Sequence, residues 1–277
     1  MQTARASRIL IESILIPSGH LQREVRVDIY YPENIAALGS ISLLLLNDGQ
    51  DLPVFNFQQM LEELQTGHCI EPLVCAGIHC GKERRLEYGT VSYVDYKGRG
   101  SKAPNHRDFV LLELIPVIKK RLNHEKFNEK AYAGFSLGGL SALDMVWHYP
   151  EEFNKTGVFS GSLWWRLRAL ESGYTESEDR IMHKLVRESK YKPGLKFYFT
   201  TGSLDEKMDR NNNGVIDSID DTLGLIGELE KLGYDKPKDI RYINYEDGKH
   251  DVTTWGKAMP DFLKWGWGMK NDSGVLS

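Results

Sequence analysis

Three cysteines in 277 residues, Cys69, Cys75 and Cys80, are too few and odd in number for a disulfide framework. A reducing compartment is the simpler expectation. Long apolar runs are missing too, and no stretch approaches the length of a membrane span. The opening MQTARASRILIESILIPSGH carries basic residues but lacks a continuous apolar centre and a small-residue cleavage site, so it does not read as a signal peptide. A cytoplasmic protein with no membrane partner is expected. Neither charge sign dominates: 35 Lys and Arg stand against 39 Asp and Glu, a formal net charge of −4. No electrostatic case for nucleic acid follows. Internal repeats, low-complexity tracts and Pro/Ser-rich linkers are absent as well, so residues 1–277 are expected to form one domain.

What is present is alternation of strand and helix patterns. Segments 8–16 and 23–32 read as two strands, and in the second Val25, Val27, Ile29 and Tyr31 alternate with polar residues. Segment 42–48, SLLLLND, is continuously apolar, as a strand covered on both faces is. Further strands are expected at 71–78, 130–136, 155–161, 195–201 and 239–245. Helical spacing falls between them at 55–67, 107–122, 137–150, 177–189, 220–234 and 255–268. The alternation predicts an α/β fold of about eight strands, mostly parallel, with helices on both faces and an antiparallel N-terminal edge.

The sequence GFSLGG sets Gly134, Ser136 and Gly138 in a G-x-S-x-G pattern between an apolar strand and a helix. That context is the one a nucleophile elbow requires, because strand and helix approach too closely for side chains on the flanking positions. The bland alternative is a glycine-rich turn with a capping serine. A serine nucleophile needs a base and an orienting acid, in the chain order serine, acid, histidine. Five of the eight histidines precede Ser136. His148 lies on the nucleophile's own helix, and His183 precedes the candidate acid in a polar helical pattern. His250, in YEDGKHDVTTWG between the last strand and the last helix, is left as the base. The acid should follow the penultimate strand, where Asp205 is the first choice and Glu206 the second. In LNDGQDLP after the third strand, Gly49 lets the backbone approach, and the N–H of Gln50 would join that of Leu137 around an oxyanion.

These residues resemble the esterase D/enterochelin-esterase family of α/β-hydrolases. The matching blocks are REVRVDIYYPEN, LLLLNDGQD, LLELIPVIKKR, AGFSLGGLSAL, FSGSLWW and GKHDVTTWGKAMPDFL, in the family's order from about residue 10 to 268. The resemblance implies an α/β-hydrolase fold, a serine carboxylesterase without organic cofactor, and a small-molecule ester substrate. It maps the nucleophile to Ser136, the base to His250, the acid to Asp205 and an oxyanion N–H to Gln50. SGSLWW is most similar to the siderophore-esterase branch, which would make Trp164 and Trp165 walls of the substrate site; core aromatics are the competing reading. Acyl transfer to an alcohol by the same triad, and a calcium-dependent binding module with a vestigial triad, remain alternatives.

The long connection 81–107 carries Arg84, Arg85 and five other Lys or Arg residues with Tyr88, Tyr93 and Tyr96 interleaved. Beside an active site, such a loop suggests an anionic or aromatic acyl ester; a solvated charged surface is the plain alternative. Finally, DRNNNGVIDSID has the ligand spacing of an EF-hand loop. Asp209, Asn211 and Asn213 take the first three ligand positions, Gly214 the bend and Val215 the carbonyl. Asp217 takes the ninth position, and Asp220 replaces the final glutamate, as in dockerin-like loops. A structural Ca²⁺ in an inserted loop at 209–220 is expected, bracing the segment that carries Asp205.

Overall fold

A computed structural model describes residues 7–269; part of the stretch read for a leader, residues 1–6, lies outside them. The eight expected strands form one sheet. They are β1 (Ile9–Ser18), β2 (Arg23–Pro32), β3 (Ser42–Asn47), β4 (Leu73–Ile78), β5 (Lys130–Phe135), β6 (Lys155–Phe159), β7 (Lys196–Leu204) and β8 (Ile240–Lys249). Their spatial order is β1-β2-β4-β3-β5-β6-β7-β8. β1 and β2 pair antiparallel, as do β2 and β4, and every later pairing is parallel. This is the mostly parallel α/β-hydrolase sheet with an antiparallel N-terminal edge.

The helices are α1 (Phe57–Thr66), α2 (Arg84–Glu87), α3 (Ala103–Asp108), α4 (Ile115–Leu122), α5 (Leu137–His148), α6 (Glu176–Asp179), α7 (Ile181–Arg187), α8 (Asp217–Leu232) and α9 (Val252–Trp267). The period-two side-chain alternation of strands splits the core into two layers. Leu43, Leu45, Val74 and Ala76 face one layer with Leu140, Leu143 and Leu225. Leu44, Leu46, Leu73 and Cys75 face the other with Phe57, Leu61, Met259 and Phe262. Both faces of β3 and β4 are therefore buried, which explains their unbroken apolar runs.

Three elements differ from the expected ones. The helix expected over 107–122 begins at Ala103 and passes through a wide π stretch, Phe109–Leu114, before α4. Pro116 has no N–H for the carbonyl one turn back, which loosens the ladder just upstream. The helix expected over 177–189 breaks at Arg180, which is extended (ψ 101°) and bridges Arg166. β7 runs past Gly202 to Leu204 and slips register against β8 between Gly202 and Leu204. Such an irregularity re-aims the side chains beyond it, and the next residue is Asp205.

β3 has β4 on one side and β5 on the other, so the chain leaves it in opposite directions. Open α/β sheets bind ligands in the crevice beyond the C-terminal ends of the strands at such a switch point. Asn47 and Phe135 end β3 and β5, and the candidate residues Gln50, Ser136 and Leu137 follow within three positions.

Candidate active site

Ser136 stands on a strained turn, with φ 54° and ψ −119°, between β5 and α5. Few side chains hold that conformation unless their surroundings enforce it. Here its N–H donates to Phe159 O at 2.8 Å, and its carbonyl accepts from Ser162 N at 3.1 Å. The flanking glycines are needed sterically. A Cβ on Gly134 would meet the Gly138 backbone at 2.5 Å, and one on Gly138 would meet Asp48 Oδ2 at 2.6 Å. A buried polar chain braces the same turn: Asn47 Nδ2 donates to Gly138 O at 2.9 Å, Tyr132 OH donates to Asn47 Oδ1 at 2.7 Å, and His106 Nε2 lies 2.9 Å from the Tyr132 hydroxyl. The phenol already gives its proton to Asn47, so the imidazole is the donor and is neutral. Burial pushes its pKa down to about 3.

His250 Nε2 lies 2.8 Å from Ser136 Oγ across 114 residues of sequence. β8 continues to Lys249, beyond the expected end at 245, and delivers His250 directly from the sheet. The ring packs edge-on against Trp255, at 5.3 Å between centroids and 84° between planes. Crowding by protein lowers the His250 pKa, Asp205 opposes that shift, and Arg84 adds to it.

Asp205 and Glu206 part company. Asp205 Oδ2 accepts from Gly202 N at 3.0 Å, while Oδ1 is buried with no hydrogen-bond partner among the described residues. Burial raises the Asp205 pKa; the Gly202 N–H, the Ser160 hydroxyl and then His250 pull it back down. Glu206 is also raised by burial, but it answers to the Ser218 N–H and to Asp217 and Asp221. His250 influences the Asp205 carboxyl and not Glu206, but no hydrogen bond joins Asp205 to His250 among the described residues.

The two oxyanion candidates are free donors. Neither Gln50 N nor Leu137 N has an acceptor among the described residues, and Leu137 is the first residue of α5, whose leading N–H groups lack helical partners. Asp48, just before Gly49, takes the left-handed conformation (φ 62°). A Cβ on Gly49 would sit 2.3 Å from the Gly77 backbone, so glycine alone lets this loop fold onto β4.

The expected substrate contacts divide. Trp165 is fully buried and packs in the core, so it does not wall an open site. Trp164 is partly exposed and stacks beneath the Arg99 guanidinium at 4.7 Å. Arg85 is exposed, whereas Arg84 is committed to a two-pronged ion pair with Asp48. Other cations of the 81–107 loop are neutralised in place: Arg99 by Asp95, Lys102 by Glu83 and Arg107 by Asp108. The loop is knitted to itself more than its charge suggested.

In the 209–220 loop, Asp209 accepts from Asn213 N at 3.1 Å and Gly214 N at 2.9 Å. Asn211 and Asn213 donate to the two oxygens of Asp220 at 3.2 and 3.1 Å. Val215 N is held by Asn213 Oδ1 at 2.8 Å. Asp217 turns away to Arg210, accepting from its N–H at 2.9 Å. Among the described residues no three His, Cys, Asp or Glu side chains gather as metal ligands. Arg210 is buried and reaches across to Glu176 at 2.6 and 2.8 Å and to Asp221 at 3.1 and 2.5 Å.

Sequence reasoning passed over Ser160, Ser162 and Trp255. Ser162 Oγ lies 3.4 Å from Ser136 Oγ, and Trp255 Nε1 donates to Ser160 Oγ at 3.1 Å. Both serines flank Gly161 at the end of β6, in the FSGSLWW block beside the nucleophile strand, which was the available signal.

A family model described as "Putative esterase" matches residues 18–265. The chain is 27% identical over 172 residues to the iron(III) enterobactin esterase of Escherichia coli K12, covering 61% of this chain and 38% of that enzyme. It is structurally similar to the enterobactin esterase FES of Shigella flexneri, solved in the presence of enterobactin, with TM-score 0.71, 22% identity, and coverage of 94% of this chain and 59% of that one. A ferulic acid esterase aligns over 94% of this chain and 98% of its own length, with TM-score 0.68 and 14% identity. The last two likenesses concern the fold. The chain spans well under two thirds of the length of the enterobactin esterases it matches.

Proposed function

Since this chain belongs to that esterase family, we propose that it is a serine carboxylesterase working through Ser136, His250 and Asp205. The observation that carries this reading is the 2.8 Å contact between His250 Nε2 and a serine held on a strained strand-to-helix turn. His250 is neutral near pH 7, because its surroundings lower its pKa, and so it can take the serine proton. Ser136 Oγ attacks the ester carbonyl, and the oxyanion accepts from Gln50 N–H and Leu137 N–H. The imidazolium then protonates the leaving alcohol. Water, activated by the same imidazole, releases the acid and restores Ser136. Asp205 stabilises the imidazolium through the oxygen left without another partner.

The substrate proposed is an ester of an aromatic acid. Partly exposed Trp164 offers an aromatic face under a cation, and the relatives are named for enterobactin and ferulic acid. Hydrolysis of p-nitrophenyl acetate by the wild type and Ser136→Ala tests the chemistry; full activity in the variant overturns it. A fluorophosphonate probe should label Ser136 and no other serine. A panel of acetyl, feruloyl, catecholate and glutathione esters tests the acyl class.

For the 209–220 loop the proposal is a structural calcium ion. Two carboxylates (Asp209, Asp220), two carboxamides (Asn211, Asn213) and the Val215 carbonyl make an all-oxygen donor set suited to a hard cation. Asp217 is withheld by Arg210. No step of the reaction involves this ion.

A further inference from the structure

Trp255, in the first turn of α9, touches three parts of the site at once. Its ring lies flat on Phe135, the residue before Ser136, at 5.1 Å between centroids and 7° between planes. It also flanks the His250 imidazole edge-on at 5.3 Å. Its indole N–H donates to Ser160 Oγ at 3.1 Å, inside the protein. Ser160 is itself buried and has φ 46°, in the region that L residues seldom occupy, with its N–H fixed on Thr200 O at 2.8 Å. Strain of that kind persists where the surroundings over-determine it, and it clusters at functional sites.

The Ser160 oxygen accepts the indole proton, which leaves its own O–H to be donated. That hydroxyl helps to lower the pKa of the Asp205 carboxyl, against the rise that burial causes. Of the two carboxylate oxygens, Oδ2 takes the Gly202 N–H, and Oδ1 is buried without a partner. The titratable and charged groups facing this pair are Arg84 and Asp251 on the His250 side and Asp251, Glu206 and Tyr242 on the Asp205 side.

Resting on the triad reading above, we propose that Trp255 and Ser160 are positioning residues: the indole N–H fixes the Ser160 hydroxyl, the hydroxyl holds Asp205, and one carboxylate oxygen is thereby reserved for the ring N–H of His250. The indole face meanwhile sets the plane of the imidazole. Core packing alone would need an aromatic ring at 255, but not its N–H.

The test is the pH profile of kcat and kcat/KM on p-nitrophenyl acetate for Trp255→Phe, Ser160→Gly and the double variant, with Ser136→Ala alongside. Trp255→Phe keeps a ring against Phe135 and deletes the N–H. Ser160→Gly deletes the hydroxyl at a backbone angle that suits glycine, and melting temperatures check that both variants fold. Each single variant should lose about tenfold in kcat, keep KM within about twofold of wild type, and move the acid limb of kcat/KM to lower pH as His250 loses part of its support from Asp205. The double variant should be no worse than the poorer single, because both changes cut one chain. Singles with wild-type kcat and acid limb, or a double whose losses multiply, overturn the proposal. An active Ser136→Ala instead overturns the triad reading itself; an inactive Ser136→Ala beside unaffected Trp255→Phe and Ser160→Gly sinks only the positioning role.

Discussion

The guanidinium of Arg84 grips the carboxylate of Asp48 with both prongs, Nε to Oδ1 and Nη2 to Oδ2, at 2.7 Å each. Burial alone would lower the Arg84 pKa; the hydrogen bonds and charge of Asp48 override it and hold the guanidinium charged. The Asp48 side chain is only 2% exposed. Arg84→Met would strand a buried charge at the start of the loop carrying Gln50, at a cost on the order of 3 kcal/mol. The melting temperature should fall by several degrees, and Asp48→Asn/Arg84→Met together should cost less than the sum of the two singles. An unchanged melting temperature in Arg84→Met counts against this role.

Gly138→Ala tests the packing of the nucleophile turn. The added Cβ would lie 2.6 Å from Asp48 Oδ2 and 3.0 Å from Asn47 Cβ, and Asp48 is pinned by Arg84 and has nowhere to retreat. Overpacking of this kind costs about 1–3 kcal/mol. Because the helix that offers Leu137 N–H must shift, kcat should fall by about a hundredfold. Wild-type kcat would show that the turn relaxes without consequence.

Stability should decline on mild acidification. His106 is buried and its pKa is lowered from 6.5 to about 3; burial lowers that of His183 as well. Between these two pH values the unfolded chain binds protons that the folded chain refuses. Stability is therefore complete above about pH 6.5 and is lost as pH falls, by about 2 kcal/mol at pH 5 for His106, with His183 acting in the same direction. His106→Gln keeps an N–H donor for Tyr132 and does not titrate, so its melting temperature should depend less steeply on pH between 7 and 5. An equally steep slope argues that His106 is not the titrating group.

Calcium should stabilise the chain. At a hundred times its Kd the ion would add about 2.7 kcal/mol, and chelation should remove that increment and lower the melting temperature. Asp209→Ala, which loses a carboxylate and the anchor for Asn213 N and Gly214 N, should abolish the response. Insensitivity of the wild-type melting temperature to chelator and to added calcium defeats the proposal.

The sheet was legible because its information is local: the apolar runs of β3 and β4 report burial on both faces, and Val25, Val27 and Ile29 of β2 all enter one core layer. The strained turn at Ser136 was legible because the constraints on a strand–glycine–serine–glycine–helix turn are written in six consecutive residues. Chain order singles out His250, and the fold sets its Nε2 2.8 Å from Ser136 Oγ. The roles of Arg84 and Trp165 could not be read the same way. Arg84 looks like any other cation in a basic loop until the fold brings Asp48, 36 residues away, beneath it. Trp165 differs from Trp164 only in which side of one short turn each ring takes. Ser160 was hidden because a positive φ at a serine leaves no mark in composition.

The order of the strands has a consequence for synthesis. Once β4 has emerged from the ribosome and joined β2 and β3, β5 pairs with the open side of β3 and each later strand with its predecessor, so the sheet extends along a single advancing edge. Ser136 leaves the ribosome with β5, close to the middle of that process, whereas His250 follows the last strand to be added. On the triad proposed above, a nascent chain that stops short of β8 holds seven strands and Ser136 but not His250. On that proposal, the step that completes the sheet is also the one that brings His250 to Ser136.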